Sequence, residues 1–141
     1  MRFMMMVKIP TTVTESEYGP DAETVAKMMK YNEELTKAGV LLALDGLHPA
    51  EKGARIEFSG HGKATVTDGP YAEAKELVGG YWIIDVRSKD EALEWATRVP
   101  MGEGGVIELR QVYEMTDFPA DVQEAAGQLS QEPPEQTVAR S

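Results

Sequence analysis

Apolar residues along the chain fall into short runs separated by turn chemistry. Phe3 to Ile9 is an apolar run with the length of a buried strand. Tyr18-Gly19-Pro20-Asp21 reads as a turn, with Asp21 as the N-cap of a helix. Ala22, Val25, Ala26 and Met29 then recur at helical spacing, with Leu35 further along and Gly39 as the stop. Val40 to Leu44 predicts a second strand, interrupted by Asp45-Gly46. Ala54 to Phe58 and Lys63 to Thr67 predict a hairpin whose tip is Ser59-Gly60-His61-Gly62.

Tyr81 to Val86 is rich in β-formers and follows the flexible pair Gly79-Gly80. Ser88-Lys89-Asp90-Glu91 has the form of a capping box. In that arrangement Ser88 accepts from the Glu91 N–H, and Glu91 reaches back to the Ser88 N–H. Ala92, Trp95, Ala96 and Val99 give the following helix an apolar stripe, which Pro100 ends. Val106 to Tyr113 predicts a last strand.

The resulting order is β-α-β-β-β-β-α-β, an α+β chain. Two helices and two crossovers suit a ferredoxin-like split βαβ arrangement, with both helices on one face of an antiparallel sheet. The other face needs a cover. In a chain this short the simplest cover is a second copy, so a face-to-face homodimer is expected.

Residues 1–116 carry these signals, whereas residues 117–141 are rich in Gln, Glu, Ser and Pro. The second segment is expected to be a flexible acidic tail, with a short helix from Ala120 to Ala126.

Composition narrows the chemistry. With no cysteine among its 141 residues, the chain has no disulfide, thiolate metal site or cysteine nucleophile. A net charge of -10 disfavours nucleic acid and anionic lipid. No apolar run approaches the ~20 residues that span a bilayer, and no secretory signal is evident. The expectation is a soluble cytoplasmic protein. Motifs for phosphate binding, acyl transfer and metal ligation are absent, so no cofactor and no metal is expected.

The remaining polar residues of interest gather around one loop. Asp68-Gly69-Pro70 is ordinary turn chemistry, in which Gly69 takes a conformation closed to other residues. Asp68 is equally a candidate general base or acceptor. His48, just before Pro49, is its candidate proton-transfer partner, while a satisfied loop residue is the plainer reading. His61 at the hairpin tip is a weaker candidate. Tyr71 offers a ring and a hydroxyl as a lid, and Glu73, Lys75 and Glu76 suit either a polar ligand or a solvated turn. Met4, Met5 and Met6, with Trp82 and Trp95, read as core or interface.

Asp68-Gly69-Pro70-Tyr71-Ala72-Glu73-Ala74-Lys75-Glu76, with Gly79-Gly80-Tyr81-Trp82 after it, resembles the signature of the DGPF branch of the YCII-related family. Gly46-Leu47-His48-Pro49 upstream and Glu91 to Ala96 and Ile107 to Val112 downstream agree, so the resemblance covers roughly residues 1–115. Tyr71 replaces the usual Phe, and Ala74 replaces the usual Thr, which removes a hydrogen-bonding hydroxyl. The resemblance implies a ferredoxin-like fold, dimeric α+β barrel assembly and a cleft with a His–Asp pair. It brings no assigned reaction. It also implies an association with extracytoplasmic-function sigma factors, hence an alternative role as a regulatory module with a protein partner. The leading expectation is a domain that binds a small molecule near the Asp-Gly-Pro loop, with His48 and Asp68 as the acid–base pair and Tyr71, Glu73 and Lys75 as ligand contacts.

Overall fold

A computed structural model describes residues 1–10, 21–69 and 76–129. The chain divides into two units, Met1–Gln111 and Val112–Ser141. The elements of the first are β1 (Arg2–Pro10), α1 (Ala22–Lys37), β2 (Leu41–Gly46), β3 (Ala54–Gly60), β4 (Lys63–Asp68), β5 (Glu76–Asp85), α2 (Lys89–Thr97) and β6 (Val106–Gln111). A short 3₁₀ turn, Ala50–Lys52, links β2 to β3. The sheet order is β2-β5-β1-β6, with every neighbouring pair antiparallel. β3 and β4 form a separate hairpin. This is the expected ferredoxin-like α+β arrangement with an inserted hairpin.

Alternation along β1 and β5 sets the two faces of the sheet. Phe3 and Met5 pair with Ile84 and Trp82, and all four are buried with Tyr31 and Leu35 of α1 and Ala92 of α2. One core therefore lies under both helices. Met4, Met6, Tyr81 and Ile83 point to the opposite face and are only half-buried. Beside them Lys8 reaches Glu108 at 3.7 Å.

The helix ends follow the sequence signals. Asp21 accepts the Thr24 N–H at 2.7 Å, and that backbone contact holds its carboxyl below the ordinary value. Gly39 adopts φ 73° after the helix, the left-handed conformation that suits glycine. Ser88 accepts from Glu91 N–H at 3.1 Å as expected. The return bond differs, because Glu91 accepts from the N–H of Arg87 at 2.9 Å rather than from that of Ser88.

The buried face of α1 keeps Leu35 of the expected stripe but not the rest of it. Val25 is 42% and Met29 63% exposed, whereas Tyr31 and Leu35 are buried. Tyr31 wins the inner position because its hydroxyl finds a partner there, donating to the Trp95 carbonyl at 2.7 Å. Its ring meets Trp82 edge-on, with centroids 5.7 Å apart. Burial pushes its phenol up to about 12.

β2 runs through Asp45-Gly46 instead of stopping before it, since both residues pair with β5. β5 likewise begins before Gly79-Gly80, which are strand residues and not a flexible pair ahead of it. The hairpin turns at His61-Gly62, with His61 exposed and at φ 52°. The described part of the second unit holds a 3₁₀ turn (Met115–Asp117) and α3 (Ala120–Leu129), with Tyr113 stacked on Phe118. The Tyr18-Gly19-Pro20 turn and the tail beyond Leu129 lie outside the described residues.

Candidate functional site

Three features of the fold leave a groove on the helix side of the sheet. Thr24, Met28 and Asn32, spaced by four along α1, share one helix face. Beyond Gly46 the chain stays tied to β5 through Leu47 N–H, which donates to the Gly79 carbonyl at 2.9 Å, and then runs on to His48-Pro49. Gly80 closes the space between the strands, where a Cβ would sit 3.1 Å from the Asp45 carbonyl. The groove has a volume of about 580 Å³, within the range of small-molecule sites.

Its walls are mostly apolar: Val7, Met28, Leu44, Leu47, Pro49 and Trp82. Thr24, Asn32 and His48 add polar groups, and Asp45 and Tyr81 contribute to the rim. The Trp82 indole N–H donates to Asn32 Oδ1 at 2.7 Å, fixing both side chains. The Tyr81 hydroxyl donates to Asp45 Oδ2 at 2.8 Å. Strand alternation puts Leu44 with Trp82 on the helix side and Asp45 with Tyr81 on the other, so the second pair braces the rim from behind. A smaller concavity of about 300 Å³ shares Leu47, His48 and Pro49 and is completed by Ala50, Lys52, Gly53, Leu77 and Val78.

Of the residues singled out from sequence, His48 lines both concavities and is exposed within them. Asp68 ends β4 opposite Ala54, is exposed, and is not among the lining residues. The two segments are nonetheless neighbours. Gly69 N–H donates to the Gly53 carbonyl at 3.1 Å, and the Gly69 backbone lies against Ala50, two residues after His48. Tyr71, Glu73 and Lys75 lie outside the described residues. Among the described residues, no three His, Cys, Asp or Glu side chains are grouped to hold a metal ion.

Asn32, Asp45, Tyr81 and Trp82 were not recognisable as site residues from sequence. An asparagine in a helix reads as a solvated position, and Asp45-Gly46 reads as a turn. The available signal was the four-residue spacing of Thr24, Met28 and Asn32, which sets them beside the buried face.

No helix among the described residues is long and apolar enough to cross a membrane. Over 76 residues the chain is 34% identical to an uncharacterized protein of Rhizobium meliloti (strain 1021). That stretch is 54% of this chain and 60% of the relative's length. The profile of the YCII-related domain matches residues 1–116, which include the whole sheet, both of its helices and the groove. The chain belongs to the YCII-related domain family.

Proposed function

We propose that this domain binds a small, largely apolar molecule in the groove between α1 and the ends of β2 and β5, and that His48 is its proton-transfer group. The observation that carries this reading is the groove itself, an apolar trough of about 580 Å³ edged by an imidazole and an amide. Such a combination anchors a ligand by burial and orients it with a few polar contacts. The candidate partner of His48 is Asp68, on the segment that Gly69 ties to Ala50 and Gly53. A second copy is the proposed cover for the sheet face that carries Met4, Met6 and Ile83, giving the dimeric barrel. The rival reading, a regulatory module for a sigma-factor-related partner, rests on family resemblance alone.

The test is a ¹⁵N-resolved NMR titration with 2-acetylnaphthalene, a neutral aromatic ketone sized for the groove. Shifts confined to the groove residues, namely the Trp82 indole, the Gly80 amide, the Asn32 side-chain amide and the His48 ring, support the reading. Shifts elsewhere, or none at all, refute it.

A further inference from the structure

We infer that the groove selects neutral ligands carrying a hydrogen-bond acceptor such as a carbonyl, and that Asn32 is the residue that makes the selection. This rests on the groove being the binding site. The argument begins with Trp82, whose indole nitrogen can only donate. It lies 2.7 Å from Asn32 Oδ1. The reverse orientation of the amide would set two donors against each other, so the carbonyl end of Asn32 must face Trp82. The NH₂ end is thereby turned away from Trp82. That end has no hydrogen-bond partner among the described residues, while Asn32 itself lines the groove.

The donor is held in place. Trp82 is 6% exposed and packs edge-on against Tyr31, which is in turn bonded to the Trp95 carbonyl. An amide fixed through its oxygen presents its N–H groups with little rotamer entropy left to lose on binding.

Charge removes the other ligand classes. Among the described residues, the lining contains no Lys or Arg, and its one carboxylate is Asp45. Among the described residues an anionic ligand would meet no Lys or Arg, only the His48 imidazole, in a chain of net charge -10. A cationic ligand would have no use for the Asn32 donor, and the Asp45 carboxylate is engaged by Tyr81 on the far face. A neutral carbonyl compound meets the donor and leaves no buried charge uncompensated.

A matched pair of probes tests this: 2-acetylnaphthalene and 2-isopropenylnaphthalene, of nearly equal shape but with the carbonyl oxygen replaced by a methylene. The wild-type chain should bind the ketone about three- to tenfold more tightly, the contribution of one neutral hydrogen bond. The Asn32 side-chain NH₂ resonances should move with the ketone only. Asn32→Asp keeps an acceptor for the Trp82 N–H and turns the exposed donor into an acceptor, so the preference should vanish while the Trp82 indole resonance stays. Equal binding of both probes by the wild type overturns the inference without touching the groove reading. So does a preference that survives in Asn32→Asp. Failure of both probes to bind removes the groove reading, and this inference with it. The wild-type comparison needs no variant, so a folding defect in Asn32→Asp leaves it decisive.

Discussion

The carbonyl of Ala50 occupies the space that a Cβ on Gly69 would fill. This contact joins the start of the Asp-Gly-Pro segment to the turn that follows His48, and it explains the glycine. Gly69 is not in the left-handed region, so the expected conformational reason gives way to a steric one.

Gly69→Ala should therefore destabilise the domain by about 1–3 kcal/mol, the usual cost of overpacking against backbone. It should also disturb the His48 resonances, because the Ala50 turn has to shift. Urea denaturation and NMR measure the two effects. A neutral substitution with an unmoved His48 would contradict the close approach.

Tyr31 sets an alkaline limit. Its folded-state pKa is raised to about 12, above the ordinary value of 10.0. The unfolded chain thus gives up this proton first as pH rises. The stabilisation is complete below about pH 10 and is lost as pH climbs through the folded value. The total loss is roughly 2–3 kcal/mol, taking ~1.4 kcal/mol per pKa unit. Denaturation midpoints between pH 9 and 12 should fall in the wild type. In Tyr31→Phe they should fall much less, from a start about 1 kcal/mol lower for the missing hydroxyl bond. Equal slopes would show that Tyr31 is not the titrating group.

Ser88 caps α2 through the Glu91 N–H. Ser88→Ala should cost about 1 kcal/mol and Ser88→Asp close to nothing, read as shifts in thermal midpoint. Equal losses in both variants would mean that the hydroxyl bond is not the reason for the serine.

The sheet face opposite the helices predicts self-association. Sedimentation should give a particle of twice the 15.5 kDa chain mass. Ile83→Glu, which sets a charge beside Met4 on that face, should yield a folded monomer. A wild-type chain that sediments as a monomer at high micromolar concentration would rule out the dimeric barrel.

The elements were legible because most rest on local chemistry. The short apolar runs of the strands, the Asp21 and Ser88 caps and the Gly39 stop are all written within a few residues. What was not legible depends on partners distant in the chain. Leu35 of the expected stripe is buried, but Val25 and Met29 are exposed, and the inner position goes to Tyr31, whose hydroxyl meets the Trp95 carbonyl 64 residues away. Asp45-Gly46 has turn chemistry, yet Tyr81 and Gly80 hold it in the sheet. Asn32 gains its meaning from Trp82, 50 residues away. His48 was identifiable because histidine is rare in this chain and stands next to a proline. Its surroundings were not, because α1 and β5 supply most of them.

The most direct test of the account is the affinity of 2-acetylnaphthalene for the wild-type chain and for Leu44→Trp. Leu44 lines the groove and is 37% exposed, so an indole there fills the trough at small cost to the core. The account predicts wild-type binding with shifts at Trp82, Gly80 and Asn32, and at least a tenfold loss of affinity in the filled variant. Equal affinity in the two proteins would place the ligand elsewhere and contradict the central claim.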